Sequence, residues 1–197
     1  MNVPHTAGSD VVTSSRIFTP ASRQHGTSLI EQIMVLAIVA VLGSIAAPSL
    51  GHLLTRNQMQ VAQTDFIAAL QHSREAAVNT DQHTVFCPSL DGSSCSGGTH
   101  WEYGWLLGSD ADHDNQPDAG SLYTGGGYRG KLTIQSSAGR HFVRFLATGS
   151  ASGSNLTLLF CQASGTEPAL VVVVSNSGRI RGGHASAKQA ENCPTKA

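Results

Sequence analysis

Two arginines and a run of alternating aspartates are the residues here whose types and spacing could do chemistry. Arg179 and Arg181 flank Ile180 in "VVVVSNSGRIRGG". "SNSG" reads as a hairpin turn, which sends both guanidiniums from one face of the return strand and Ile180 from the other. Permanently charged planar groups with no acidic neighbour in sequence suit phosphate oxygens. The competing reading is that they keep an edge strand soluble. No aromatic residue interleaves with them, so contact with nucleic acid would follow the backbone and ignore base sequence. "DADHDNQPD" puts Asp110, Asp112 and Asp114 at the first, third and fifth positions of an EF-hand-like loop, with Asp118 at the ninth. The sixth position is Asn115 where such a loop has Gly, and the twelfth is Ser121 where it has Glu. We read the run as a solvated acidic turn between strands and expect neither metal nor cofactor.

Catalysis has little to draw on. His72, His83, His100, His113, His141 and His184 are scattered, and no set of nucleophile, base and orienting group can be read around them. "GGGY" has no strand-to-helix context and reads as a flexible loop, not a phosphate cradle. Cys87, Cys95, Cys161 and Cys193 show neither CxxC nor His spacing, which speaks against zinc. As disulfides they permit three pairings. Cys87 with Cys95 would close a short loop over "PSLDGSS", and Cys161 with Cys193 would tie "AENCPTKA" back to a strand.

The elements that carry these residues follow from hydropathy. The 197 residues allow one domain plus an appendage. No charged residue lies between Glu31 and Arg56, a run long enough to cross a bilayer core of about 30 Å as a helix. The run passes through Gly43 and Pro48 into Met59, Ala62, Phe66, Leu70 and Ala77, spaced for one helix face, which predicts a helix reaching about Asn79. Arg16 and Arg23 precede the span, so the N-terminus is expected to stay cytoplasmic and the rest to be exported, where disulfides persist. Short β-rich runs follow: "HTVFC", "WEYGWLL", "KLTIQ", "HFVRFLA", "LTLLFCQ" and "ALVVVVS". An antiparallel sheet packed on the helix would bury both apolar faces. The formal net charge of −1 hides an asymmetry. Acids dominate from Asp81 to Asp118, whereas Arg129, Lys131, Arg140, Arg144, Arg179 and Arg181 face Glu167 alone.

Gly26 followed by "TSLIE" resembles the type IV prepilin signature, and Pro48 matches a proline common late in the pilin anchor. From there, "SREAAVNTDQHTVFCPS", "DGSSC", "WEYGWLLGSDADHD", "FLATGSASGSNLTLLFC" and "SNSGRIR" resemble the GspH/FimT branch of pseudopilins and minor pilins. The resemblance implies an α+β pilin-like fold: a leader over residues 1–26, a helix over 27–80 with its membrane part at about 32–54, and a β-rich periplasmic head over 81–197. It implies cleavage after Gly26 by a prepilin peptidase, methylation of Thr27, and pairing of Glu31 with the N-terminal amine of a neighbouring subunit. An interfacial carboxylate that merely snorkels is the plainer account of Glu31. The implied setting is the bacterial inner membrane, with other pilin subunits as partners and no enzymatic activity. "GRIR" also matches the motif that the FimT subset associates with DNA uptake, so duplex DNA is an expected partner through Arg179 and Arg181, supported by Arg140 and Arg144. A type II secretion pseudopilin without DNA binding is the alternative.

Overall fold

The computed structural model describes residue 26 and residues 28–130, 132–162 and 168–194, the side chains of residues 47–49, 52 and 55 excepted. Helix α1 spans Leu29–Thr80. Its start is set by Ser28: the Glu31 N–H donates to the Ser28 carbonyl at 3.0 Å and lies 3.4 Å from its hydroxyl. "SLIE" therefore carries the residues of a capping box, with the Glu31 charge also favoured by the helix dipole. The chain divides into two units, and the boundary lies between Ser44 and Ile45, inside α1. Leu29–Ala46 is long and apolar enough to cross a membrane, and none of it is buried within the chain.

The second part of α1 is amphipathic as its spacing predicts. Met59, Ala62, Phe66, Leu70 and Ala77 are all buried. Phe66 is the centre of this face, with its ring 5.3–6.2 Å from those of Phe86, Trp101, Trp105, Tyr128 and Phe160. Full burial of such a ring makes Phe66→Ala worth about 3–5 kcal/mol of stability. Polar contacts fix the register of helix against strands. Ser73 and Thr84 hydroxyls meet at 3.0 Å in the interior, and the Gln63 amide donates to the Val171 and Gly183 carbonyls at 2.8 and 3.0 Å.

Eight strands follow: β1 Thr84–Pro88, β2 Trp105–Ser109, β3 Ser121–Gly125, β4 Leu132–Ser136, β5 Val143–Phe145, β6 Leu156–Gln162, β7 Leu170–Val174 and β8 Ile180–His184. A short helix α2, Ala187–Ala190, comes last. The sequence pointed to one antiparallel sheet; the structure has two, ordered β3-β2-β1-β5 and β4-β6-β7-β8. Twist accumulating at about 20–25° per strand favours two packed sheets over one wide one. Each sheet contributes apolar residues to the core around Phe66, among them Phe86 and Leu107 from the first and Leu158 and Phe160 from the second.

Both sheets also have a small apolar cluster away from that core, and each cluster holds a disulfide. Cys87 bonds Cys95 beside Val85, Leu106 and Phe142. Cys161 bonds Cys193 beside Leu159, Ala169 and Val171. The bridges thus fasten loop and tail over strand faces that would otherwise meet water.

Candidate functional site

The β7–β8 hairpin forms the turn expected from "SNSG". Val174 pairs with Ile180, the Ser175 N–H donates to the Arg179 carbonyl at 3.0 Å, and the Gly178 N–H donates to the Ser175 carbonyl at 2.8 Å. Gly178 has φ +77°, and a Cβ there would lie 1.9 Å from the Gly149 carbonyl oxygen, so only glycine fits. Arg74, on α1, clamps the same carbonyl through its Nε at 2.8 Å. The turn, residue 149 and the helix are thereby packed as one unit.

Ile180 turns towards the main core, while Arg179 and Arg181 are exposed. Neither guanidinium has a hydrogen bond or ion pair with any described residue. They do not share one hollow. Arg179 lines a shallow depression of about 250 Å³ with Gln71, Arg74 and Ser177. Arg181 lines another, of about 270 Å³, with Val171, Val173 and His184. Since β8 is the edge strand of its sheet, both remain accessible from the side.

The other two arginines expected beside them belong to the scaffold. Arg140 donates to the Gly153 carbonyl at 3.0 Å and to Asn155 Oδ1 at 3.3 Å. Arg144 lies in β5 of the first sheet, half-buried, and donates to Asn115 Oδ1 at 3.0 Å. Neither lines the depressions of Arg179 and Arg181. Their place is taken by Arg74, which the charge pattern did not single out because its approach to the hairpin is a long-range packing event.

At the other end, Gly26 is exposed and Thr27 lies outside the described residues. Glu31 is exposed in the first turn of α1. The helix continues through Pro48, whose side chain is outside the described set. Two further groups are tuned by their surroundings. The Asp91 carboxyl is held far below the usual carboxylate range by the N–H groups of Ser93 and Ser94 and the hydroxyls of Ser94 and Ser89, which stiffens the Cys87–Cys95 loop. Burial and a 2.7 Å bond to Asp65 push the Tyr128 hydroxyl above its ordinary range, so it stays a donor fastening the β3–β4 connection to α1.

The profile of the family described as "Type II transport protein GspH" matches residues 62–178, more than half of the chain. That stretch runs from the buried helix face to the hairpin glycine and stops just short of Arg179. No curated protein matches the chain. Among solved structures it is similar to the type IV minor pilin FimU of Pseudomonas aeruginosa in two crystal forms. One form is 24% identical with TM-score 0.53, over 71% of this chain and 94% of that one. The other is 23% identical with TM-score 0.50, over 68% and 96%. The minor pseudopilin EpsH from the Type 2 Secretion System of Vibrio cholerae is 12% identical with TM-score 0.46, over 64% of this chain and 96% of that one.

Proposed function

The chain belongs to the GspH family of type II transport proteins, and from that premise we propose that it is a type IV minor pilin whose head contacts duplex DNA through Arg179 and Arg181. Its class is a structural one: a non-enzymatic pilin or pseudopilin subunit that assembles with other pilin subunits. The apolar start of α1 fits a component anchored in the inner membrane. Within that class, prepilin peptidase cleaves after Gly26, Thr27 becomes the methylated N-terminus, and Glu31 neutralises the ammonium of a neighbouring subunit. The N-terminus stays cytoplasmic and the disulfide-stapled head faces the periplasm.

The single observation carrying DNA contact is that two permanently charged, exposed guanidiniums on an edge hairpin have no partner among the described residues. A third, Arg74, stands beside Arg179. Such groups can neutralise phosphates without reading bases. An electrophoretic shift with the full chain in neutral detergent tests it: wild type is expected to retard duplex DNA and the Arg179→Gln/Arg181→Gln pair to lose most of that retardation. One observation favours a second reading, a secretion pseudopilin that binds sister subunits or exported protein. The family match ends at Gly178, so membership in the family does not extend to the arginines. Equal retardation of DNA by wild type and the Gln pair would move that reading ahead.

A further inference from the structure

The loop joining β2 to β3 is more organised than a solvated acidic turn. One carboxylate oxygen from each of Asp110, Asp112 and Asp114 lies within 4.8 Å of the others. Asp110 is fully buried, its Oδ2 has no hydrogen-bond partner, and its Oδ1 accepts from the Asn115 N–H at 3.1 Å. A buried carboxylate with an unpartnered oxygen, clustered with two more carboxylates, is unfavourable unless a cation completes it. The aspartate that the alternation puts first is thus the one withdrawn from water, while Asp112 and Asp114 close over it from the exposed side.

The departures noted in the sequence lose weight in this geometry. Asn115 occupies the sixth position with φ +68°, the left-handed conformation for which such loops use glycine and which Asn tolerates. Asp118, at the ninth, accepts from the Ala111 N–H through its Oδ2, so the loop is closed on itself. Arg144 holds the Asn115 side chain and places one positive charge nearby. Set against Asp110, Asp112 and Asp114, that leaves two uncompensated negative charges.

We infer that the Asp110–Asp114 loop binds one calcium ion through the carboxylates of Asp110, Asp112 and Asp114. An all-oxygen set on an irregular loop favours calcium over magnesium, which demands near-octahedral geometry and gives up water reluctantly. Ser121 at the twelfth position cannot supply the bidentate carboxylate of a high-affinity loop. The affinity therefore belongs to the weak range of extracellular modules, with Kd of about 10⁻⁴–10⁻³ M. Occupancy would fix the β2–β3 connection, and through Asn115 it would fix Arg144.

Equilibrium dialysis of the full chain in neutral detergent, with calcium chloride as the probe, tests this together with thermal melting. About one calcium per chain is expected as free calcium passes about 1 mM, with a melting midpoint that rises on calcium addition and falls back with EGTA. Asp112→Asn/Asp114→Asn changes only exposed side chains, so its EGTA melting midpoint should equal or exceed that of wild type. Its calcium affinity should fall at least about tenfold, as expected when two charged ligands are lost. No bound calcium, binding unchanged in the Asn pair, or displacement by equimolar magnesium would each overturn the assignment.

Discussion

Arg74 on the helix and Arg179 on the β7–β8 hairpin line the same depression, although most of the head's sequence lies between them. Arg74 reaches that position by donating its Nε to the Gly149 carbonyl, against which the Gly178 backbone is also pressed. Replacing Arg74 with Lys keeps a charge there and removes the bond. The loss is expected to cost about 1 kcal/mol of stability, as for a typical partly buried hydrogen bond, with DNA retardation largely retained.

Gly178→Ala tests the hairpin from the other side. The added Cβ would meet the Gly149 oxygen at 1.9 Å, and alanine is strained at φ +77°. Denaturant unfolding is expected to show a loss of about 2–4 kcal/mol, since neither the turn nor residue 149 can yield without the other. A loss under about 0.5 kcal/mol, the range of an ordinary surface change, would contradict the packing described.

The two disulfides should differ in worth. Cys161–Cys193 spans 32 residues and Cys87–Cys95 spans 8. Loop-closure entropy gives about 3.7 kcal/mol for the longer and about 2.5 kcal/mol for the shorter. Equilibrium unfolding of Cys161→Ser/Cys193→Ser and Cys87→Ser/Cys95→Ser is expected to reproduce that order; the reverse would show that native packing outweighs chain entropy at the β1–β2 loop.

His83 makes the head acid-sensitive. Its folded pKa is lowered from 6.5, mainly by burial and then by His113 and Arg144. The unfolded chain therefore binds this proton more readily, so stability is intact above about pH 6.5 and falls as pH drops through that value. Melting midpoints at pH 7.5 and 5.5 should differ less for His83→Gln than for wild type.

Processing and assembly separate at the N-terminus. Gly26→Val is expected to leave an uncleaved precursor, read by N-terminal sequencing, whereas wild type should begin at Thr27. Glu31→Gln keeps the side chain able to serve a capping box but removes its charge. It should insert in the membrane normally and be depleted from filaments. Wild-type incorporation of that variant would mean that the carboxylate serves only the helix start.

What the sequence disclosed follows from the range of the interactions involved. The helix face of Met59, Ala62, Phe66, Leu70 and Ala77 was legible because helical periodicity is local. Strand β6 coincides with "LTLLFCQ", an apolar run flanked by turns. Strand β3 escaped because "SLYTG" is an almost fully exposed edge with no buried alternation. The division into two sheets, the approach of Arg74 to Arg179 and the internal bonds of Arg140 and Arg144 all depend on contacts distant in sequence. At the acidic loop the residue type of Asn115 is visible in the sequence, but its backbone conformation and the burial of Asp110 are not.

The most direct test of DNA contact is the salt dependence of its affinity, measured for the full chain and for Arg179→Gln/Arg181→Gln by electrophoretic shift at two or more salt concentrations. Wild type is expected to bind duplex DNA at about micromolar Kd or weaker, without sequence preference. If each arginine meets one phosphate, the Gln pair should lower the log-log salt slope by about two, since each contact contributes roughly 0.9. Identical affinities and slopes for the two proteins would contradict the account and leave the arginines as solubilising groups of an edge strand.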